Sequence, residues 1–181
     1  MPIYLNNTSY DIAFGAKPIE KMGGSKLPYS MDGDNIPLVL EEIEDGVVIS
    51  SERVIDFKPQ MDNILCLTEN NNLYVSGGSV NSYIFTKVAS NVKAFDTYVG
   101  AIWYIDNNND LYGFGSNANG QQGDGTTTKV TTPTKRASNV KKFSCYDSST
   151  WYLTNDGDLY GCGQNSHGQQ GSGSHGNNTS P

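Results

Sequence analysis

From about residue 52 to the end of the chain, short apolar runs alternate with polar turns. Side chains point to alternate faces of a strand, so runs of this length and spacing predict strands rather than helices. In the last part of the chain, three strands are predicted, at residues 140–143, 149–154 and 159–163. The turn before the third strand contains Gly157, which accepts the positive φ that a tight hairpin needs.

This pattern is part of an internal repeat. Residues 108–123 (NNDLYGFGSNANGQQG) and residues 156–171 (DGDLYGCGQNSHGQQG) are two copies of one stretch. The same displacement of 48 positions superposes Trp103 on Trp151. A weaker copy begins near Val54, 38 positions before the first strong one, and lacks the Asn-x-x-Gly-Gln-Gln-Gly segment. A shorter loop accounts for the difference between the weak copy and the strong ones.

Each repeat has the size of a propeller blade. A fourth strand is expected near residues 131–136, and Pro133 indicates an edge position, because proline donates no hydrogen bond to a β-ladder. Four strands in about 40–50 residues are typical of one blade. The sequence therefore predicts an all-β fold, a partial β-propeller of four-stranded blades preceded by a small β-rich N-terminal segment.

The N-terminal third is more polar and is interrupted by turn residues. Residues 2–5 and 10–14 have β-rich composition and are separated by a polar turn at residues 6–9. Further on, the apolar runs on either side of Asp45-Gly46 predict a β-hairpin. The acidic residues 41–45 are interpreted as its solvated tip rather than as a cation site, since such a site needs about six converging oxygen ligands.

We therefore divide the chain into three parts. The predicted parts are an N-terminal docking segment at residues 1–35, a β-hairpin linker at residues 36–51, and propeller repeats at residues 52–181, with repeats at about 52–92, 93–140 and 141–181, the last incomplete. Pro181 superposes on Pro133, so the chain stops inside its third repeat. Because two copies and a part cannot close a ring, we expect either a longer protein or partner chains that cover the open edges.

The repeated motif Leu-Tyr-Gly-x-Gly-x-Asn-x-x-Gly-Gln-x-Gly resembles the signature of the regulator-of-chromosome-condensation repeat family. The resemblance covers residues 52–181 and implies a β-propeller, commonly of seven blades, that serves as a protein-interaction platform. Some members of that family act as nucleotide exchange factors for small GTPases. The resemblance carries over scaffold positions only, and these are Leu111, Gly113, Gly115, Asn117, Gly120, Gln121, Gly123, Leu159, Gly161, Gly163, Asn165, Gly168, Gln169 and Gly171.

These glycines also have a physical interpretation. Gly113 and Gly115 are expected to leave space where adjacent sheets crowd together, and Gly120 and Gly123 to allow the tight connection between sheets. Trp103 and Trp151 are interpreted as core residues, although a carbohydrate- or peptide-binding surface is the alternative.

No pattern in the sequence predicts a catalytic site or a cofactor. His167, His175, Cys145 and Cys162 lack the paired spacing of zinc ligands. Asp106-x-Asn108-x-Asp110 is similar to the start of a calcium loop, but a hairpin turn explains it better, because glycine is missing at the sixth position. There is no Gly-x-Ser-x-Gly elbow and no phosphate-binding loop.

Charge and composition exclude other classes of function. The net charge is −7, and the one basic cluster, at Lys135, Arg136, Lys141 and Lys142, is interpreted as a solvated rim, so nucleic-acid binding is not expected. Three scattered cysteines do not form a disulfide framework. Neither a secretory signal nor an apolar run long enough for membrane insertion is present.

Two functional hypotheses remain, both non-enzymatic. The order of the N-terminal part resembles small structural proteins of phage tails and contractile bacteriocins, which dock on a baseplate. The first hypothesis is therefore a virion or phage-tail-like particle component, assembled in the bacterial cytoplasm, that contacts other subunits through residues 1–50 and a cell-surface receptor through the propeller. The alternative is a cytoplasmic propeller that regulates a small GTPase or another protein partner. In neither case does the sequence predict a cofactor or a metal.

Overall fold

A computed structural model of the chain describes the backbone of residues 3–5, 8–10, 12–14, 38–44 and 47–181, and the side chains of residues 52–82 and 85–181. Within these ranges the regular elements are all strands. They are β1 (Ile3–Leu5), β2 (Thr8–Tyr10), β3 (Ile12–Phe14), β4 (Leu38–Glu44), β5 (Val47–Gln60), β6 (Asn63–Thr68), β7 (Leu73–Gly77), β8 (Ser82–Ala89), β9 (Val92–Tyr98), β10 (Ala101–Asp106), β11 (Leu111–Gly115), β12 (Val130–Ala137), β13 (Val140–Tyr146), β14 (Ser149–Thr154) and β15 (Leu159–Gly163).

Three successive antiparallel sheets form the repeats. Blade 1 contains the second half of β5 with β6, β7 and β8, blade 2 contains β9 to β12, and blade 3 contains β13 to β15. Beyond β15, Gly163 makes one further bridge to Asn178, at the register where Gly115 pairs with Val130 in blade 2. The predicted all-β partial propeller is confirmed, and so is the edge position of the strand containing Pro133, which is β12.

The N-terminal strands join the sheet of blade 1. β4 and β5 form the predicted antiparallel hairpin, although its turn, Asp45-Gly46, lies outside the described residues. The expectation of a solvated acidic tip is wrong in one respect, because Glu41–Glu44 are part of strand β4 and pair with β5. β5 then continues past residue 51 and pairs with β6 through its second half, so one strand belongs to both the hairpin and the first blade.

At the extreme N-terminus, the prediction of a turn at residues 6–9 is wrong for residues 8 and 9. Thr8 and Ser9 belong to β2, which pairs with β1 in the register Leu5 with Thr8. Residues 15–37, which include most of the predicted docking segment, lie outside the described residues.

The core lies between the blades. One cluster joins blades 1 and 2 through Leu65, Leu73, Val92, Ile102 and Phe114. Another joins blades 2 and 3 through Trp103, Ile105, Leu111, Val140 and Tyr152. Alternate residues of β10 belong to the two clusters, so the strand is buried on both faces. This arrangement explains why its sequence, AIWYID, is almost continuously apolar.

The hairpin turns at one end of each blade have the predicted chemistry. Gly157 has φ 97° and Asn109 has φ 65°, so glycine and asparagine occupy equivalent left-handed positions. In the second blade, one Asp106 carboxylate oxygen accepts hydrogen bonds from the backbone N–H groups of Asn108 and Asp110, each at 2.9 Å. The similarity to a calcium loop is therefore explained by a turn that closes on its own carboxylate. We call this end, residues 107–110 and 155–158, the turn face.

Candidate functional site

The opposite end of the blades carries long polar loops, residues 116–129 after β11 and residues 164–178 after β15, which we call the loop face. Each loop is organised around one buried asparagine. In blade 2, the Asn117 amide donates to Asp124 and to the carbonyl oxygens of Thr126 and Thr128, all at 3.1 Å, while its own oxygen accepts from the backbone N–H of Gln122 at 2.9 Å. One side chain thus ties together a loop of fourteen residues, 116–129.

The equivalent asparagine does the same in blade 3. The Asn165 amide donates to Ser172 Oγ and to the carbonyl oxygens of Ser174 and Gly176, and its oxygen accepts from Gln170 N at 2.8 Å. These partners lie 48 positions after those of Asn117. Since buried polar groups must be paired, the repetition makes the two loops into fixed structures rather than flexible connections.

A second pair of side chains, outside the scaffold positions predicted from the repeat, anchors each loop to its strand. Gln122 donates to the carbonyl oxygen of Phe114 at 2.7 Å, and Gln170 donates to that of Cys162 at 3.1 Å. The preceding glutamines, Gln121 and Gln169, were the ones predicted as scaffold positions; each accepts a hydrogen bond from a backbone N–H two residues earlier. The doubled Gln-Gln in both copies was the available signal for the missed pair.

Gly113 and Gly161 leave room for these glutamine side chains. This corrects the expectation that Gly113 leaves space for an adjacent sheet. A Cβ on Gly113 would lie 2.4 Å from Gln122 Oε1 and 2.9 Å from the ring of Trp103, so this glycine accommodates its own blade and loop rather than an adjacent sheet. Gly161 has the same relation to Gln170 and Trp151. Contact with the next blade occurs instead at Gly120, where a Cβ would lie 2.7 Å from Thr179. Gly115 and Gly163 have φ 93° and 98°, which L side chains rarely adopt.

The burial of equivalent residues depends on whether a further blade covers them. Leu111 is fully buried between blades 2 and 3, whereas the equivalent Leu159 in blade 3 is 66% exposed. Trp103 is buried and Trp151 is half-buried for the same reason, because their face of the sheet is covered in blade 2 and is open in blade 3. The prediction of a core residue is confirmed for Trp103.

The next residues to consider are the cysteines and histidines, which could in principle act as metal ligands or nucleophiles. The thiols of Cys66, Cys145 and Cys162 are free and buried. Burial raises the pKa of Cys162 and of Cys66 to about 12, in Cys66 with help from the charge of Asp56. A thiol with such a pKa stays protonated at neutral pH and is a poor nucleophile and metal ligand. His167 and His175 are exposed on the loop face.

The basic cluster is partly neutralised. Lys135 donates to Asp110 at 2.7 Å, and Arg136 lies 3.5 Å from Asp124. Lys141 and Lys142 are exposed on β13. The interpretation of a solvated rim therefore holds for the three lysines, which are exposed, but not for Arg136, whose side chain is only 13% exposed.

Two further observations bear on the class of protein. Among the described residues, no three His, Cys, Asp or Glu side chains form a group that would hold a metal ion. The same part of the chain contains no helix that is long and apolar enough to cross a bilayer.

The blades, their repeated asparagine centres and their glycine positions define a partial β-propeller. A model of the Regulator of chromosome condensation (RCC1) repeat matches residues 140–169, which are part of blade 3. No curated protein sequence matches the chain.

Solved structures are similar in fold. Human WBSCR16 superposes with a TM-score of 0.64 at 16% identity, over 80% of this chain and 47% of that one. Prp20p from Saccharomyces cerevisiae, a structure described together with its binding properties to Gsp1p and histones, superposes with a TM-score of 0.55 at 21% identity, over 65% and 32%. Yeast RCC1 (Prp20) bound to Kap60 gives 0.55 at 19% identity, over 71% and 38%. The chain spans less than half the length of each of these structures.

Proposed function

We propose that residues 52–181 are part of an RCC1-type propeller that binds protein partners through the loop face, and that the chain acts by binding rather than by catalysis. The observation that carries this proposal is the pair of buried asparagines, which hold two long polar loops in fixed conformations. A preorganised loop costs less ordering entropy on association than a flexible one. The side chains exposed on the loops differ between the blades, with Ala118 in one and Ser166 in the other, so the same scaffold presents different contacts.

The comparisons favour this protein-binding role over the particle hypothesis. The structural neighbour Prp20p is described by its binding to Gsp1p and histones and has been solved with Kap60. Neither the comparisons nor the described residues support the resemblance to phage-tail proteins. A small GTPase is the first partner class to examine, and a cytoplasmic location is part of this proposal.

The test compares substitutions on the two ends of the blades. Thr128 and Ser166 are exposed on the loop face, and Asn107 and Asn108 are exposed on the turn face. The full chain, tagged and expressed in the organism it comes from, is used to isolate bound proteins, and the affinity of each purified partner is then measured by calorimetry. The double substitution Thr128→Lys with Ser166→Lys is expected to weaken binding about tenfold or more, because it places unpaired charges in the interface.

The charge-matched control is Asn107→Lys with Asn108→Lys, which is expected to leave the affinity unchanged. If the partner is a small GTPase, release of a fluorescent guanine nucleotide in the presence of the chain measures whether binding alters exchange. Equal affinity of the loop-face variant and the parent chain would contradict the proposal, and so would a loss confined to the turn-face control.

A further inference from the structure

A cavity of about 390 Å³ opens on the loop face between blades 1 and 2. We call it the notch, and Asp62, Ser79, Val99, Ser116, Asn117 and Lys129 are among the residues that line it. The notch lies beside the connection between β7 and β8, which has four residues (78–81), whereas the connection between β11 and β12 has fourteen (116–129). Blade 1 therefore lacks ten residues at the place where the notch lies.

The next interface shows what occupies this place when the loop is long. There the blade 2 loop crosses onto blade 3: Cys162 Sγ donates to the Gln121 carbonyl oxygen at 3.3 Å, and Gly125 N donates to the Thr179 carbonyl oxygen at 2.8 Å. Gly120 packs so closely on Thr179 that a Cβ would lie 2.7 Å from its methyl carbon. A displacement of 48 positions places Phe114 and Thr131 of blade 2 where Cys162 and Thr179 lie in blade 3.

Blade 2 thus has a surface equivalent to the one that receives a loop in blade 3. The short connection of blade 1 contacts part of it, since Ser79 Oγ donates to the Gly100 carbonyl oxygen at 2.7 Å. Phe114, which is larger than Cys162, is buried against residues of blade 1, and the cavity lies beside it, next to Ser79, Val99 and Ser116. The segment that fits such a surface is an extended, glycine-containing stretch of polypeptide, since this is what blade 2 supplies to blade 3.

The turn at Val99 is a second and independent observation. Val99 has φ 45°, although β-branched residues rarely adopt the left-handed region, and its side chain is 42% exposed beside the notch. The equivalent residue in blade 3 is Asp147, whose type suits this conformation. Neither local conformation nor burial favours valine here, and backbone strain of this kind points to a role in binding.

A third observation is an unpaired donor next to the notch. Asn63 Oδ1 accepts a hydrogen bond from the backbone N–H of Ser79 at 2.9 Å. The Nδ2 group of the same buried side chain has no hydrogen-bond partner in the described part of the chain. A buried amide donor without a partner is costly, and a peptide carbonyl oxygen is a suitable acceptor for it.

We propose that the notch is a binding site for an extended, glycine-containing segment of a partner protein, which takes the place of the loop that blade 1 lacks. The segment lies between Ser79 of blade 1 and Ser116 of blade 2, and its apolar atoms contact Val99. This inference rests on the proposed protein-binding function and names the surface that recognises the partner.

The direct test uses a peptide with the sequence of the blade 2 loop, residues 116–127 (SNANGQQGDGTT), with blocked ends. It is titrated into the full ¹⁵N-labelled chain, and amide shifts are followed by NMR. Saturable shifts are expected at Gly78, Ser79, Gly100 and Lys129. A control peptide with alanine at the positions of Gly120 and Gly123 is expected to bind about tenfold more weakly, because these positions have positive φ and close contacts.

Two variants of the chain complete the test. Val99→Asn removes the apolar contact and suits the turn better, so it is expected to raise the melting temperature while weakening the peptide at least about fivefold. Ser79→Trp fills the notch and is expected to abolish the shifts. Absence of saturable shifts with the parent chain at millimolar peptide, or shifts confined to other surfaces, would overturn the inference. A change in oligomeric state with Val99→Asn would indicate a second copy as the occupant and would also overturn it.

The result of the peptide test can be distinguished from the result of the partner-binding test of the proposed function. If Thr128→Lys with Ser166→Lys weakens a partner while the peptide does not bind, the notch inference falls and the protein-binding role stands. If that variant leaves partner binding unchanged, the assignment of partner binding to the loop face falls, whatever the peptide does.

Discussion

Asn117 and Asn165 are the residues on which the conformation of the loop face depends. Each uses both amide hydrogens and the carbonyl oxygen inside one loop, and each is almost completely buried. Serine or aspartate cannot replace them, since serine is too short and aspartate donates no hydrogen bond at neutral pH. Asparagine is therefore required at this position for its hydrogen-bonding groups as well as for its size.

The first prediction concerns this requirement. Asn117→Ala leaves Gln122 N and the carbonyl oxygens of Thr126 and Thr128 without partners, and we expect a loss of about 2–4 kcal/mol in the free energy of unfolding measured by urea titration. The control is Asn119→Ala, two residues away, which removes one hydrogen bond with Asn177 and is expected to cost about 1 kcal/mol or less. Equal losses for the two variants would contradict the role of Asn117.

A second prediction at this scale concerns pH. Burial acts to raise the pKa of Asp124, but hydrogen bonds from Thr126 and Asn117 and the nearby charge of Arg136 outweigh it, so this pKa lies below the ordinary value of 3.8. A carboxyl group with a lowered pKa in the folded state stabilises the protein above its unfolded pKa, and the contribution is lost as the pH falls through the folded pKa.

The matched variant for this test is Asp124→Ser, because blade 3 has Ser172 at the equivalent position. The parent chain is expected to be more stable than the variant at pH 7, and the difference is expected to shrink as the pH falls below 3.8. Melting temperatures measured across the acidic range follow this difference. A difference that does not change with pH would show that the carboxylate is not involved.

At the scale of elements, the strands were more predictable than the loops. The limits of β14 and β15 agree with the predicted residues 149–154 and 159–163, because alternating apolar residues and a glycine turn are local signals. The roles of Gly113 and Gln122 were not predictable in the same way, since they depend on a contact between a strand and a loop nine residues further on. The N-terminal turn was misjudged because Thr8 and Ser9 are common in turns, yet pairing with β1 places them in a strand.

The candidate site was likewise only partly predictable from the sequence. Asn117 and Asn165 were selected as repeated positions, but only the structure shows that they bind their own loops. The notch was not predicted, although the ten-residue difference between repeats was visible in the sequence. A missing loop becomes a cavity only through the packing of neighbouring blades, which local patterns do not contain.

A third prediction concerns the blade 2 loop as an element. Cys162 is buried beneath this loop, with its thiol against the Gln121 carbonyl oxygen. Deleting residues 119–128 shortens the loop to the length found in blade 1, and we expect Cys162 to become reactive toward a thiol reagent in the folded chain. Mass spectrometry after labelling identifies the modified residue.

Cys66 provides the internal control for that experiment. It lies in β6 on the other side of blade 1, away from the shortened loop, and is expected to stay unmodified in both chains. Modification of both cysteines would indicate general unfolding. If Cys162 stays protected in a folded variant, the loop is not what covers it.

At the scale of the whole molecule, the blades are coupled through their first strands. The Asp96 carboxylate on β9 pairs with Lys58 on β5 and accepts a hydrogen bond from the backbone N–H of Cys145 on β13 at 2.9 Å. One residue therefore connects all three blades. Together with the cores between the blades, this contact gives the loops of blades 2 and 3 a fixed relation, which a shared binding surface requires.

The two ends of the blades differ in the length of the connections that they carry. On the turn face, short hairpins close on their own side chains, as Asp106 does. On the loop face, long loops are held from below and present exposed side chains that differ from blade to blade, and the notch interrupts them between blades 1 and 2. This asymmetry is the reason for assigning partner binding to the loop face.

The most direct test of that assignment is hydrogen–deuterium exchange of the full chain with and without a purified partner. The account predicts that the partner slows exchange in peptides covering residues 116–129 and 164–178, and around the notch at residues 78–81, while residues 107–110 and 155–158 exchange as in the free chain. Protection confined to residues 107–110 and 155–158 would contradict it.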